Sequence, residues 1–563
     1  MHPCLLLLAT LLAMLSSATN HAAECSAGHG LALSDLETLN LDTRDKTLPG
    51  AKLAGTYVLR DVRYIRQNVF PRSNHWLARQ ANRYHLLTRE GALASAFILE
   101  VGERIDETTR AEAERVLRDK PYLHAAAVLV RQICADQVDL DVVVQDVWTL
   151  TPGVAFSRTG GDNETSVSLS DTNFLGTGKS LSVEYFDDRN RSGTALNYTD
   201  PNILGSRWTG GLTYADNDDG EHYRINVGRP FFSLDTRWAI GLSGAHAQRK
   251  QDLEFLGSDL FELDAETNTA ETFLARSSGR QDGWVNRMFG GVRYMEEEIT
   301  YPTAFPGPST TRREFLYPYV GWQLLEDNFV TLTNLERVGV TEDIRLGWDS
   351  YVELGWSTDS FGGEGDYLLS RGSLAYRKML NDRHLLSVTA EGNGRYNLDQ
   401  EQTEDLVLQA DAEVLWYQAE RWRLLTRARY AHTRNLALDR QLTLGGDAGL
   451  RGYPSRYQLG DRSFLLTVEQ RYYSDAYPFG LFRLGYAAFL DVGRAWFEDE
   501  PPAWVPARDG EHFDTLSNIG VGLRLESVRT RRDRVLHIDI ARPFVDGPDV
   551  KSWEITLSGK QRF

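Results

Sequence analysis

Residues 153–563 consist of many short segments in which apolar and polar side chains alternate. An alternation with a period of two places the apolar side chains on one face of a β-strand and the polar ones on the other. Glycine, asparagine and aspartate separate the segments, as they do at turns between strands. We therefore predict a mainly β fold of antiparallel strands. The clearest segments carry apolar residues at Leu181, Val183 and Tyr185; Trp238, Ile240 and Leu242; Val352, Leu354 and Trp356; and Ile519, Val521 and Leu523.

The end of the chain favours a barrel in a membrane over a soluble β-sandwich, which produces the same alternation. Phe563 has the same parity as Trp553, Ile555 and Leu557. It therefore points to the lipid side of the last strand, where an aromatic ring is favoured at the membrane interface. We interpret these four residues as a barrel C-terminal signal. The barrel must close, because an open sheet edge in lipid leaves backbone groups unpaired.

Helical periodicity is missing from the sequence after Pro152. We expect a transmembrane antiparallel β-barrel of about 16 strands over residues 153–563, with short turns at one end and longer loops at the other. Long polar outer loops are predicted at 217–221, 250–283, 399–404 and 497–512.

Residues 56–152 have the pattern of one small α/β domain. Helical spacing relates Trp76, Leu77, Ala81 and Tyr84, and Asp106 is placed to cap a second helix. Strands are predicted at 57–65, 123–133 and 138–142, so the order of elements is β-α-α-β-β.

The beginning of the chain resembles a secretion signal. Residues 1–23 contain the apolar run 5–15, followed by small residues at a plausible cleavage site. Residues 24–55 show no clear periodicity and are interpreted as a leader or linker. Cys25 and Cys134 remain after cleavage, and a disulfide and two free thiols are both open alternatives.

The composition excludes several functions. A formal net charge of −18, from 61 basic and 79 acidic residues, argues against nonspecific binding of nucleic acid. No mature segment has about 20 continuous apolar residues, the length of a membrane-spanning helix. The histidines are scattered, and a Gly-x-Ser-x-Gly nucleophile motif is missing. We predict no enzyme activity, no metal site and no cofactor.

A glycine-rich segment contains the sequence Gly449-Leu450-Arg451-Gly452-Tyr453. A later strand candidate reads Phe489-Leu490-Asp491-Val492-Gly493. A guanidinium placed inside a barrel needs a partner for its charge. Asp491 is the polar residue between two apolar ones and is able to accept a bidentate pair from Arg451. From spacing alone, this is one ion pair among many that are possible.

These segments resemble the [VIL]-R-G-[FY] and F-x-D-x-G motifs of the BamA/TamA outer-membrane protein superfamily. The resemblance implies that Arg451 lies on the sixth extracellular loop, folded back into the barrel, and pairs with Asp491. Segments 171–178, 200–205 and 540–544 resemble the family's first barrel hairpin, its following turn and the end of its penultimate strand. The α/β unit resembles a POTRA domain, the family's periplasmic module for binding polypeptides.

By this resemblance we expect an outer-membrane barrel that assembles or inserts proteins, with the POTRA-like domain in the periplasm. A weak seam is predicted between a first strand at 165–170 and the last strand at 553–563, which contains Gly559. The expected partners are outer-membrane lipid, unfolded outer-membrane or secreted polypeptides, and periplasmic chaperones or accessory lipoproteins. A two-partner-type secretion channel and a structural barrel without transport activity are the alternatives. BamA-type insertases carry several POTRA domains, and two-partner secretion transporters carry two. A single POTRA-like domain matches neither layout, so the resemblance does not imply a particular client.

Overall fold

A computed structural model of the chain describes residues 25–41, 52–71, 76–333, 335, 341–478, 482–498, 500–506, 514–527 and 535–560. The predicted secretion signal lies outside the described residues. The chain divides into two compact units, and each is described on its own. The first comprises Met1–Tyr84 and Phe97–Asp146, and the second His85–Ala96 and Val147–Phe563.

The first unit is a mixed sheet with helices. Its elements are β1 (Cys25–Ala27), α1 (Leu33–Glu37), β2 (Tyr57–Gln67), α2 (Trp76–Tyr84), β3 (Arg104–Ile105), α4 (Glu107–Arg118), β4 (Leu123–Cys134) and β5 (Gln137–Asp146). The strands lie in the order β1-β4-β5-β2-β3, and β2 runs parallel to β5. Asp106 caps α4 by accepting a hydrogen bond from the backbone N–H of Thr109 at 2.9 Å, because the first amides of a helix have no partner within it.

The segment interpreted as a leader or linker is part of this unit. β1 pairs antiparallel with the end of β4, and a disulfide joins Cys25 to Cys134 across that pair. Leu36 of α1 is fully buried in a core that includes Ile65, Ala127 and Val143. The segment is too short to show a period, and it is held by tertiary contacts and a covalent bond. Residues 42–51 lie outside the described part of the chain.

The second unit begins with α3 (Glu90–Ala96) and continues as a closed antiparallel barrel. Its strands are β6 (Leu150–Thr159), β7 (Asp162–Asp171), β8 (Ser180–Asp187), β9 (Ser192–Asp200), β10 (Thr209–Asn217), β11 (Gly220–Arg229), β12 (Trp238–Phe255), β13 (Ser258–Gln281), β14 (Trp284–Thr300), β15 (Thr310–Glu326), β16 (Asn328–Thr333), β17 (Thr341–Ser357), β18 (Tyr367–Asn381), β19 (His384–Asn397), β20 (Gln402–Ala419), β21 (Trp422–Arg434), β22 (Leu442–Leu444), β23 (Gln458–Gly460), β24 (Arg462–Tyr473), β25 (Phe482–Trp496), β26 (Leu516–Ser527), β27 (Val535–Pro543) and β28 (Glu554–Lys560). In the described residues, β22 and β23 pair with each other as a small hairpin that is not part of the barrel wall.

Among the described residues, twenty strands close the barrel rather than the predicted 16, with β15 and β16 counted as one strand interrupted at Asp327. β15 and β16 are counted together because both pair with β17, at successive positions along it. The barrel also begins at Leu150, inside the range assigned to the preceding domain.

In three of the four predicted outer loops, half or more of the residues belong to strands. Within 217–221, residues 218 and 219 form the turn between β10 and β11 and the other three belong to those strands, and 250–283 contains the end of β12 and all 24 residues of β13. The segment 399–404 includes the start of β20. These strand ends are rich in charged and threonine side chains, so their composition is that of a loop. The fourth, 497–512, does follow β25, although 499 and 507–512 lie outside the described residues.

The end of the barrel at which β6 begins is here named the turn end. The opposite end, at which β6 is connected to β7, is named the loop end. The face of the strands that looks away from the lumen is apolar and accessible, as Val154, Leu242, Val320 and Leu354 illustrate. The lumen face is polar. For example, Arg293 donates to Glu271 at 2.7 Å and also pairs with Glu353. No helix among the described residues is long and apolar enough to cross a membrane.

Candidate functional site

The candidate site is the loop between β21 and β24, here called the motif loop (residues 435–461), together with the strands it contacts. The loop carries the β22–β23 hairpin and, between its two strands, Gly449–Tyr453. Leu450 and Tyr453 are fully buried, and Arg451 is 6% exposed. These motif residues therefore pack inside the barrel unit, and their side chains are not presented to solvent.

Arg451 forms a bidentate ion pair with Asp491 of β25. Its Nε and Nη2 donate to the two carboxylate oxygens, each at 2.9 Å. The guanidinium also stacks on Phe489, with Cζ 3.3 Å from the ring centroid. Burial by itself lowers the pKa of Arg451, but the carboxylates of Asp491 and Glu469 outweigh it and raise the pKa above its ordinary value. The arginine is therefore charged, and the predicted motif residues lie together.

The ion pair is part of a larger network of buried charges that sequence reasoning missed. Arg451 also donates to Glu469 of β24 at 2.7 Å, and Glu469 accepts from Arg471 at 2.9 Å. Arg524 of β26 pairs with Asp539 of β27 at 2.5 Å, and both are fully buried. Apart from Arg451, each of these residues stands at a polar position of an alternating strand, as Asp491 does. This parity in the sequence indicates that the charged side chains face the lumen, although it does not reveal which of them form ion pairs.

The glycines of the two motifs permit close contacts. A Cβ added to Gly452 would lie 2.8 Å from Cβ of Asn518, and one added to Gly493 would lie 2.8 Å from the carbonyl oxygen of Phe464. The backbone N–H of Gly452 donates to the Asn518 side chain at 3.2 Å. A larger residue at Gly452 would push the motif loop away from Asn518 of the wall, and one at Gly493 would collide with the backbone of the neighbouring strand β24.

Tyr453 joins the motif loop to the last strands. Its hydroxyl donates to the carbonyl oxygen of Ser517 at 2.9 Å and accepts from the backbone N–H of Val545 at 3.2 Å. Ser517 lies at the start of β26, and Val545 follows β27. The loop is therefore fixed to three successive strands, β25 through Asp491 and β26 and β27 through Tyr453.

The barrel closes between its first strand, β6, and its last, β28. The described residues contain a single register pair at this seam, Leu557 with Arg158, whereas β28 and β27 share seven. A long contact of 3.6 Å between Arg158 and Glu554 adds an ion pair. The seam is thus the weakest junction in the described wall. The predicted first strand at 165–170 was wrong, because those residues lie in β7.

The C-terminal signal residues lie on or beside β28. Trp553 precedes the strand and is 57% exposed, and Ile555 is 52% exposed, on the outward face. Leu557 is half-buried on the same face and contributes the register pair at the seam. Phe563 lies outside the described residues.

The motif loop also contacts the far side of the seam. The backbone N–H of Ser455 donates to the carbonyl oxygen of Gly160 at 3.0 Å, and the Ser455 hydroxyl donates to that of Thr159 at 3.0 Å. A Cβ added to Gly446 would lie 2.7 Å from Cα of Gly160. The motif loop therefore contacts the loop end of β6 as well as the last strands.

Two similar turns at the turn end hold the segment that contains α3. The segments 171–176 and 200–205 share the pattern Asp-x-Asn-x-Leu-Gly. The Asn173 side chain donates to Thr88 at 2.8 Å, and the Asn202 side chain donates to the carbonyl oxygen of Ser95 at 3.0 Å. The repeated turn thus anchors the residues that lead into and form α3. Among the described residues, no group of three His, Cys, Asp or Glu side chains is placed to hold a metal ion.

These features define a class: a closed antiparallel β-barrel with an arginine-bearing loop folded against its inner wall. The sequence matches no family model and no curated protein. Solved structures similar in fold include those of BamA and CdiB. BamA from Haemophilus ducreyi lacking POTRA domains 1–3 has 13% identity and a TM-score of 0.40, over 89% of this chain and 84% of that one.

CdiB from Acinetobacter baumannii has 12% identity and a TM-score of 0.44, over 89% of this chain and 73% of that one. CdiB from Escherichia coli has 14% identity and a TM-score of 0.45, over 89% and 75%. At these values the likeness is one of barrel architecture.

Proposed function

We propose that this chain is an outer-membrane barrel that assembles or inserts other polypeptides, using the seam between β6 and β28 as the place of entry. The observation that carries the proposal is the seam itself. It has one register pair in the described residues and lies beside a loop that contacts both of its sides. A barrel that only anchors has no need for a junction so much weaker than its neighbours.

Placement in a membrane is supported by the outward face of β17. Trp348 and Trp356 are 41% and 48% exposed, and the apolar Val352 and Leu354 lie between them on the same face. Eight residues of a strand span about 27 Å. With the tilt of about 40° that barrel strands have, the segment is about 20 Å tall, similar to the roughly 25 Å of an apolar band flanked by aromatic residues.

The chemistry proposed for the seam is β-augmentation. An incoming strand pairs with the backbone of an exposed edge, and side chains at alternate positions set its register. β6 suits this role because it carries Pro152 and Gly153, which weaken strand pairing, and because Val154 is 81% exposed on its outward face. Opening at β28 would release that edge without breaking a long ladder.

We propose that the first unit is the POTRA-like domain that receives unfolded clients before they reach the barrel. In the described residues, β1 covers the end of the β4 edge at Gln132–Cys134 and is tied there by the disulfide. A client that paired with this part of β4 would have to displace β1. We therefore place client binding on the remainder of the unit, in its disulfide-bonded form.

A secretion channel gated by the motif loop is the second candidate. The observation that favours it is an apolar cluster at the loop end, in which Tyr457 and Leu459 of the motif loop pack with Leu253, Tyr301 and Trp504 from three other connections or strand ends. Release of the motif loop would open this cluster. A channel then predicts a large ionic current in Arg451→Ala, whereas an assembly factor does not need one.

A cross-link at the seam tests the proposal. The Arg158→Cys/Leu557→Cys variant joins the register pair of β6 and β28, and Ile538→Cys/Leu557→Cys joins a register pair of β27 and β28 as the matched control. Both are oxidised in lipid vesicles and supplied with an unfolded barrel client. We expect the seam cross-link to abolish client insertion and the control to retain it. Full insertion by the seam-linked protein would refute lateral entry.

A further inference from the structure

Four residues form a band of alternating tryptophan and arginine on the outward face of β10 to β13, at the turn end. They are Trp208, Arg229, Trp238 and Arg276. The register of the strands places them side by side. Trp208 and Arg229 lie next to the paired residues Thr209 and Gly228. Arg229 pairs with Ile240, two positions from Trp238, and Trp238 pairs directly with Arg276. They have the same parity as the exposed apolar residues of their strands, Leu212, Ile225, Leu242 and Leu274.

Arg229 is held in the middle of this band by aromatic contacts. Its Cζ lies 4.0 Å from the centroid of the Trp238 ring, and its Nη1 donates to the Trp238 carbonyl oxygen at 2.7 Å. Its Cζ is also 5.0 Å from the centroid of Phe232, while Arg207 approaches the same ring at 4.7 Å. Two guanidinium groups thus share one aromatic ring, an arrangement of like charges that favours an anion nearby.

No described carboxylate forms an ion pair with Arg229 or Arg276, in contrast to Arg280, which pairs with Asp235 at 2.6 Å in the neighbouring connection. Arg276 is exposed and Arg229 half-buried. Arg229 and Arg276 are therefore able to offer guanidinium donors to an external ligand. The planar guanidinium fork matches the oxygens of a phosphate group.

We propose that this band is a binding site for the phosphate headgroup of an anionic phospholipid in the turn-end leaflet. The flanking tryptophans decide between a lipid and a free anion, because tryptophan is favoured at the depth of the headgroups, with its ring against the acyl chains. Basic side chains at that depth attract anionic lipid. The inference rests on the membrane placement proposed above and is independent of the client activity.

Lipid retention by the purified full chain tests this site. The protein in neutral detergent is titrated with phosphatidylglycerol or phosphatidylcholine, and bound lipid is counted by native mass spectrometry. The test variant is Arg229→Gln/Arg276→Gln, and the matched control is Arg224→Gln/Arg371→Gln, which removes two arginines of the lumen parity. We expect the test variant to lose affinity for phosphatidylglycerol about 30-fold, with phosphatidylcholine unaffected. The control should bind as the unaltered protein does.

Folding of each variant is verified by the shift in gel mobility on heating. A second variant, Arg229→Lys/Arg276→Lys, keeps the charge and should retain part of the affinity for phosphatidylglycerol. Equal binding of phosphatidylglycerol by the test variant and the control would overturn the site. Complete displacement of the lipid by inorganic phosphate at equal concentration would also overturn it, in favour of a phosphate site. Failure of the unaltered protein to float with phospholipid vesicles would refute the membrane placement itself. If the unaltered protein floats but the test variant binds lipid unchanged, the headgroup site alone is refuted.

Discussion

The Ser455 hydroxyl donates to the carbonyl oxygen of Thr159, 296 residues earlier in the chain, at 3.0 Å. This hydrogen bond holds the loop end of the first barrel strand, β6. The loop that carries Ser455 is fixed at the same time to β25 by the bidentate pair of Arg451 and Asp491. Since β6 and β28 share one register pair in the described residues, the motif loop supplies a second connection across the seam. Loosening the loop should therefore weaken the closure of the barrel at its loop end.

Substitution of Gly160 tests this connection. An alanine Cβ at Gly160 would lie 2.2 Å from the backbone nitrogen of Ser455, while an alanine at Gly161 would meet nothing within 4 Å. Both glycines have positive φ, +57° and +96°, so both substitutions add backbone strain of about 1 kcal/mol. We expect Gly160→Ala to lower the temperature of the heat-induced gel shift clearly more than Gly161→Ala. Equal shifts in the two variants would show that the contact with Ser455 does not hold the seam.

Removal of the Arg451 side chain should destabilise the barrel strongly. Arg451→Ala would leave the fully buried Asp491 without its bidentate partner, and breaking a buried pair in this way typically costs about 3–5 kcal/mol. Arg462→Ala breaks an exposed pair with Glu498, whose side chain is 53% exposed, and should cost less than about 1 kcal/mol. Urea unfolding in lipid vesicles gives both values. The double variant Arg451→Ala/Asp491→Ala should cost less than the sum of the single variants, and simple additivity would contradict the coupling.

The faces of the strands could be predicted from the sequence, because the direction of a side chain depends only on parity within one strand. Ile555 and Leu354 are exposed on the outward face as their alternation indicates, and Asp491 points to the inside. The number of strands could not be predicted in this way. β13 is 24 residues long, and its polar half was interpreted as a loop because its composition is that of a loop.

The network around Arg451 shows a second limit. Glu469 and Asp539 lie on different strands, and which charge meets which is decided by the register of neighbouring strands and by the path of the motif loop. Neither is encoded in local spacing. The Arg451–Asp491 pair was identified only through the resemblance of two short motifs. The first strand was missed because Pro152 and Gly153 disfavour a strand, and a barrel tolerates them best at an edge such as the seam.

The disulfide between Cys25 and Cys134 should stabilise the first unit. It closes a loop with a sequence separation of 109, and loss of a native disulfide of this kind typically costs about 2–5 kcal/mol. We expect Cys25→Ser/Cys134→Ser to lower the calorimetric transition of the first unit while leaving the heat-induced gel shift of the barrel unchanged. Hydrogen exchange should increase at β1 and at the end of β4. Unchanged exchange at these strands would mean that noncovalent contacts, such as burial of Leu36, hold the segment without the disulfide.

Asp139 of β5 should make the stability of the first unit dependent on pH. Burial by itself raises the pKa of Asp139, but hydrogen bonds from Arg60 at 2.8 Å and Gln132 at 2.5 Å outweigh burial and hold the pKa below its ordinary value. A carboxyl group whose pKa is lower in the folded state contributes stability above its unfolded value of about 3.9, and this contribution is lost as the pH falls below that value.

Asp139→Asn should therefore lower the unfolding free energy of the first unit by about 1 kcal/mol at pH 7. The difference from the unaltered protein should shrink steadily as the pH falls from 5 to 2. Asp61→Asn is the control, because the Asp61 side chain is 59% exposed and its pair with Arg131 is open to solvent. It should change stability little at any pH. Calorimetry over this pH range measures both variants, and a difference for Asp139→Asn that stayed constant with pH would show that packing, rather than the charge of the carboxylate, accounts for its effect.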